Sequence, residues 1–395
     1  MNDNKLKFCF VGLYEDQNLG DPIIADCAEW LYTHNLKESD YEIKRLCIDY
    51  VEKHNPLSFV KKCCLKCLRL FYLSSVADDI YNEHLIEEYK KYFSEGIKNS
   101  DIVIVVGGGL IKYNYQFFGG GLVALLDSAE KLGVKVILNS VGVEGYDETN
   151  IRCQTLKKAL NGKSLVSIST RDDIKTLREK YFDGVPNIPC EYVCDPAVWC
   201  SEVYGIERNS RGNVIGLGIA RGNLFYDYGI DLNASEVSDL YENIIKKLLN
   251  NGYQVELFTN GLDADNFFAQ NIQTALESEG IDLTLVLPSD AKHLVRIIAS
   301  YEAIIATRLH SCIIAYSLDI PGIGLVWNDK QTFFGRNINA ENYFIQVGEF
   351  DSYTIVERLK TAINNGYNQE HKDIFRNLII DNVNLNSGII TGKHF

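Results

Sequence analysis

The chain has no apolar run long enough to cross a bilayer, no internal repeat and no low-complexity tract. The first lack excludes a spanning helix, which needs about 20 consecutive apolar residues. The others exclude a solenoid and a disordered tail. Positive charge is also short: 39 Lys and Arg face 53 Asp and Glu, a formal net charge of −14. No broad basic field is available for nucleic acid, although an anionic small molecule needs only a few local cations. The start, Met-Asn-Asp-Asn-Lys-Leu-Lys, is polar and lacks the apolar core of a signal peptide, so the expected location is the cytoplasm. The 11 cysteines are then expected to be reduced. Cys63, Cys64 and Cys67, and separately Cys190, Cys194 and Cys200, read either as zinc ligands or as buried and incidental thiols. Neither set shows a second CxxC or a His at a usual spacing, so no metal is expected.

At 395 residues, 46% of them hydrophobic and 23% charged, the chain is an ordinary soluble composition spread over more than one core. Strand and helix patterns alternate almost throughout, which predicts α/β with mostly parallel sheets. Strands are expected near 6–11, 42–48, 101–106, 134–139, 165–169 and 190–194, then near 213–219, 253–258, 282–287, 302–306 and 321–326. Helical patterns fill the intervals, with a last one over 369–386. Residues 201–212 are polar and contain glycine, as a linker would. The expected architecture is two Rossmann-like doubly wound domains, 1–205 and 206–395, facing a cleft, with the C-terminal helix packing back across it.

The densest unit runs from Ala303 to Leu325: buried strand, turn, short helix, turn, buried strand. Thr307 is expected as the helix cap, with Arg308, Leu309 and His310 in the first turn and Ser311 behind them. An Arg and a His at a helix mouth beyond the carboxyl end of a strand suit an anion. The helix dipole disfavours imidazolium and a bound phosphate favours it, so the His310 proton is expected to answer to substrate.

Other loops fall at the same strand ends. Asn18, Gly20 and Asp21 follow the first strand; either Asp21 or Asn18 touches a sugar hydroxyl, or Asp21 only caps its helix, with Pro22 at the first helical position. Gly107, Gly108 and Gly109 end an apolar strand, for a ligand's approach or for a close chain crossing; no P-loop Lys follows. The loop Asn139 to Tyr146 is similar. Thr170 is a candidate cap before Arg171, which clamps an anion or pairs with Asp172 or Asp173. Asp195 is an acid, a base, or a turn former before Pro196. Arg221 points to the cleft or lies in an exposed loop, and Lys330 adds a cation after the last strand. Residues 57–73 form a basic amphipathic helix, for an anionic membrane surface or for an ordinary half-buried packing.

Taken together, Asn18-Leu-Gly-Asp21, Gly107-Gly-Gly109, Ser169-Thr-Arg171-Asp172, Asp195-Pro, and Arg308-Leu-His-Ser311 with Ala315, Pro321 and Lys330 resemble the polysaccharide pyruvyl transferase family, in order over about residues 8–335. The resemblance departs at Pro22 and in the Ser140-Val-Gly142-Val-Glu144 loop. It implies a fold like that of the B-type glycosyltransferases, with an acceptor side in the first domain and a donor side in the second. It implies transfer of the pyruvyl group of phosphoenolpyruvate, a donor substrate with no cofactor, onto two hydroxyls of a sugar, lipid-linked or free, of a cell-surface polysaccharide. His310 and Arg308, with Asp21 or Asp195 as base, are the expected catalytic set; Asn18, Gly20, Gly107, Gly108, Gly109, Arg171, Arg221, Ser311 and Lys330 are expected to bind substrate. The competing readings are a nucleotide-sugar glycosyltransferase of the same architecture and a non-catalytic scaffold for glycan assembly at the inner face of the membrane.

Overall fold

Ile102–Val106 is buried at all five positions, as a strand is when helices cover both faces of its sheet. The computed structural model describes residues 5–51, 63, 66, 74–113 and 116–391. The basic helix expected over 57–73 lies outside the described residues apart from Cys63 and Lys66, both exposed. By its contacts the chain divides into two units. The first is Met1–Glu15, Ala28–Cys194 and Ile379–Phe395; the second is Asp16–Cys27 with Asp195–Leu378. The sequence places one changeover at residue 205. The division instead exchanges two short segments, the Asn18 loop and the last turns of the C-terminal helix.

In the first unit the strands are β1 (Leu6–Gly12), β2 (Tyr41–Cys47), β3 (Ile102–Val106), β4 (Lys135–Val141), β5 (Leu165–Thr170) and β6 (Cys190–Tyr192). They pair in parallel in the order β2-β1-β3-β4-β5-β6, with Phe8 opposite Ile43 on one side and Ile102 on the other. The helices are α1 (Gly20–Thr33), which begins in the second unit, then α2 (Ser74–Ile97), α3 (Gln116–Leu132) and α4 (Ile151–Leu160). Leu85, Tyr89, Phe93 and Ile97 repeat every four residues along α2, so one stripe meets the sheet at Val103 and Val105. Each such side chain contributes about 1.5–3 kcal/mol by leaving water. Asn150 caps α4 by accepting from the Arg152 and Cys153 N–H groups at 2.9 and 3.3 Å.

In the second unit the strands are β7 (Val214–Gly218), β8 (Gln254–Phe258), β9 (Thr284–Val286), β10 (Ala303–Ala306), β11 (Gly322–Leu325) and β12 (Phe344–Ile345). Their order, β12-β11-β10-β7-β8-β9, is all parallel and is the doubly wound 3-2-1-4-5-6 arrangement. Its longer helices are α5 (Ala234–Asn250), α6 (Asp263–Ser278), α7 (Ala291–Ala299), α8 (Leu309–Ser317), α9 (Asp329–Asn337), α10 (Ser352–Asn365) and α11 (Gln369–Thr391), which ends in the first unit. α5 opens with a capping box: Asn233 accepts from the backbone while Glu236 reaches back to the Asn233 N–H. Val237, Tyr241, Ile244, Ile245 and Leu248 then face the core at helical spacing. The segment expected as a linker at 201–212 is helical over its first residues, Cys200–Tyr204. No helix among the described residues is long and apolar enough to cross a membrane.

Candidate active site

In a doubly wound sheet the chain reverses its direction of strand addition once, and the loops that part there leave room for a ligand at the carboxyl ends. In the second unit that point lies between β7 and β10. The loop after β10 begins at Thr307. Its N–H donates to the Gly218 carbonyl at 3.3 Å, and its carbonyl accepts from Trp327 Nε1 at 2.8 Å and Gln331 Nε2 at 3.0 Å. Its hydroxyl sits 2.5 Å from the Tyr241 hydroxyl, which also accepts from the Ala220 N–H. Burial pushes that phenol up to about 12, so it stays protonated. Thr307 is therefore fully engaged and does not cap α8, contrary to the sequence expectation. Arg308 is the cap residue, and Leu309, His310 and Ser311 form the first turn, which puts His310 second rather than third in the helix.

Arg308 has a fixed position. Its Nε and Nη2 donate to Asp265 Oδ2 and Oδ1 at 2.9 and 2.8 Å, a bidentate pair with the carboxylate fully buried. Asp265 also accepts from the Arg221 N–H at 2.9 Å. One carboxylate in α6 thus ties the loop after β7 to the loop after β10. The Arg221 guanidinium itself pairs with Asp227 at 2.5 Å. Asp265 was missed in the sequence, where an acidic residue in a helix's first turn signals only a favourable dipole. Nothing local announces a partner 43 residues away.

His310 is 8% exposed, and its Nε2 has no hydrogen-bond partner among the described residues. Asp195 Oδ2 lies 3.8 Å from that nitrogen, while Asp195 Oδ1 accepts from the Ala197 N–H at 2.9 Å and caps the turn Pro196–Trp199. Asp195 is therefore a turn former and a neighbour of the imidazole at once. The other side of the ring lies against Gly20; a Cβ there would overlap Nδ1, Cγ and Cβ of His310. Gly20 is needed for close approach rather than for its backbone angles.

The loop before α1 is held from two directions. Leu19 N–H donates to the Asn260 carbonyl at 2.9 Å, and the Ser311 hydroxyl donates to Asn260 Oδ1 at 2.6 Å. Asn18 donates from Nδ2 to Asp21 Oδ2 at 2.9 Å, and the Asp21 N–H returns to the Asn18 carbonyl at 3.0 Å. This reciprocal link sets the helix start at Gly20, so Asp21 lies inside the first turn and is not its cap. The second unit therefore brings Asn18, Gly20, Asp21, Asp195, Arg308, His310 and Ser311 together, with Arg221 joined through Asp265. Lys330, half-buried, is placed on α9 beside Gln331, the residue that holds the Thr307 carbonyl.

Gly107, Gly108, Gly109 and Arg171 belong to the first unit. Gly107 and Gly108 have φ of 93° and 44°, which a side chain rarely adopts. The Gly108 carbonyl accepts from the Gly142 N–H at 2.8 Å, and Ile111 bridges to Val143, so these glycines mediate the crossing of two loops. Asp172 closes the same crossing by accepting from the Val143 N–H, the Thr170 hydroxyl and the Asp173 N–H. Asp173, not Thr170, caps the helical turn that follows, accepting from the Thr176 N–H at 2.9 Å. Among the described residues no group of three or more His, Cys, Asp or Glu is placed to hold a metal ion. Cys190, Cys194 and Cys200 are buried, and burial raises the Cys200 thiol to about 12.

The fold is that of two Rossmann-like parallel sheets, the B-type glycosyltransferase architecture. It is shared with the UDP-GlcNAc 2-epimerase of Methanocaldococcus jannaschii: TM-score 0.54, 12% identity, 97% of this chain and 99% of that chain covered. A putative UDP-N-acetylglucosamine 2-epimerase of Listeria monocytogenes aligns with TM-score 0.55 at 10% identity over 96% of this chain and 94% of that one. The UDP-GlcNAc 2-epimerase of Neisseria meningitidis, bound to UDP-GlcNAc, gives 0.51 at 11% identity, covering 98% and 100%. At these identities the likeness extends to the fold alone. No curated protein sequence matches. The family model for polysaccharide pyruvyl transferase matches residues 19–329. That span contains the described Gly20, Asp21, Asp195, Asp265, Arg308, His310 and Ser311, leaves Asn18 and Lys330 one residue outside it at either end, and shows that this chain belongs to the polysaccharide pyruvyl transferase family.

Proposed function

We propose that this protein transfers the pyruvyl group of phosphoenolpyruvate to two hydroxyls of a sugar in a cell-surface polysaccharide or its precursor. The observation that carries the reading is His310 Nε2: buried, without a hydrogen-bond partner among the described residues, 3.8 Å from a carboxylate and two residues from an anchored arginine. The donor carries a phosphate and a carboxylate. Arg308 spends two N–H groups on Asp265 and keeps its others for an anion, with Arg221 and Lys330 as further cations. Gly107, Gly108, Gly109 and Arg171 are proposed to serve substrate binding from the first unit.

The reaction needs a proton at the methylene carbon, attack at the neighbouring carbon by one sugar hydroxyl, and displacement of phosphate by the second. Of the two hydroxyl protons, one ends on the new methyl group and one leaves with the phosphate. His310 is suited to carry the first, and Asp195, or Asp21 held by Asn18, to accept the second. Arg308 would offset charge on the departing phosphate. His310→Ala is expected to abolish the ketal, seen by mass spectrometry as acceptor plus pyruvate less water, with an unchanged thermal midpoint. Near-full turnover in that variant would remove His310 from the chemistry. Thermal shift with phosphoenolpyruvate against UDP-GlcNAc separates this reading from sugar transfer, because only the true donor should raise the midpoint.

A further inference from the structure

Two asparagines of the second unit are each half used. Asn260 is 1% exposed; its Oδ1 accepts from Ser311, and its Nδ2 donates to nothing among the described residues. Asn18 gives its Nδ2 to Asp21, and its buried Oδ1 accepts from nothing among them. The two belong to adjoining segments, since the Leu19 N–H is bonded to the Asn260 carbonyl at 2.9 Å. His310 adds a third such atom, Nε2, on a ring lying against Gly20 and one residue before Ser311. A donor, an acceptor and a ring nitrogen are therefore gathered on three touching segments.

That set selects a chemistry. A phosphate or carboxylate at neutral pH only accepts, and the Asn18 oxygen would repel it. An alcohol donates one hydrogen and accepts through its lone pairs, so it answers the Asn260 amide and the Asn18 oxygen together. Buried amide groups cost free energy when unpaired, so the matching ligand gains specificity as well as affinity. The staple between the segments uses the Asn260 backbone carbonyl and is independent of its side chain.

We propose that Asn260 and Asn18 bind a hydroxyl of a neutral sugar beside His310, which makes Asn260 a specificity residue for the alcohol acceptor. This rests on the function proposed above. The experiment is saturation-transfer NMR with methyl galactoside, methyl glucoside and methyl mannoside on the full chain, run beside a phosphoenolpyruvate thermal shift. Asn260→Asp keeps the Ser311 bond and replaces the donor by an acceptor; Asn260→Ala removes both without adding charge. The expected result is saturation of at least one glycoside by the wild type and at least about tenfold weaker binding in both variants, with the phosphoenolpyruvate shift retained. Glycoside binding unchanged in the variants, no glycoside binding by the wild type, or loss of the phosphoenolpyruvate shift instead would each overturn the assignment. Absence of that shift in the wild type counts against the donor reading, and glycoside binding is scored separately.

Discussion

At the scale of single residues, Asp265 and Gly20 do the most to fix the Arg308 and His310 side chains. Removing Asp265 strands a nearly buried guanidinium, so Asp265→Ala is expected to cost about 3–5 kcal/mol in urea unfolding. Turnover should fall with it, because Arg308 would lose its orientation. Gly20→Ala acts differently: the added methyl pushes the His310 ring aside while the Arg308–Asp265 pair stays. A displacement of about 1 Å predicts a loss of roughly 100-fold in kcat with the donor's thermal shift unaltered. A Gly20→Ala enzyme with wild-type kcat would show that the ring's seat is not needed. The placement of Arg308, His310 and Ser311 at a helix start was legible in the sequence because a helix mouth after a strand advertises itself. Asp265 and Asn260 were not, because each is an ordinary polar residue whose role depends on a partner far along the chain.

Among elements, α8 is fastened at both ends. Its first turn and cap are held by Asn260 and Asp265, and its last carbonyl by Lys372, which donates to the Ser317 carbonyl at 3.0 Å and to the Asp319 side chain at 2.7 Å. The Lys372 ammonium also lies 5.3 Å from the centre of the Tyr316 ring. A cation at a helix carboxyl end complements the dipole. Lys372→Met is expected to lower stability by about 1.5–3 kcal/mol, the worth of a charged hydrogen bond, while kcat changes less than tenfold because the amino-terminal anchors remain. An equal loss of kcat and stability would instead mean that the far end of α8 positions His310. Most strands were legible because central parallel strands read as unbroken apolar runs, Ile102–Val106 above all. β12 is only two residues, and α9 carries more polar than apolar side chains, so neither stood out.

For the whole molecule, buried acids govern the response to alkali. Burial raises the thiols of Cys9, Cys200 and Cys312 to about 12, and Cys27 also lies well above its ordinary value. Burial likewise raises Tyr301 and Tyr367. A raised acid keeps its proton in the native state after the unfolded chain has lost it, so its contribution is whole below the unfolded value and fades as pH climbs towards the folded one. Stability should hold to about pH 9, fall as thiols ionise in the unfolded chain, and fall faster above about pH 10, by up to 1.4 kcal/mol per unit for each group. Lys372 works in the opposite sense, because burial lowers it and the unfolded chain keeps that proton longer. Urea midpoints at pH 7, 9 and 10.5 check the balance; a level midpoint across that series would contradict it. The two-sheet plan was legible from the strand and helix alternation. The exchange of Asp16–Cys27 into the second unit was not, because sequence order says nothing about which core a loop joins. That exchange has a bearing on synthesis. The stretch carrying Asn18 and Gly20 leaves the ribosome early, yet its neighbours Asn260 and His310 are translated much later. Nascent chains released before those neighbours emerge should therefore show no trace of activity.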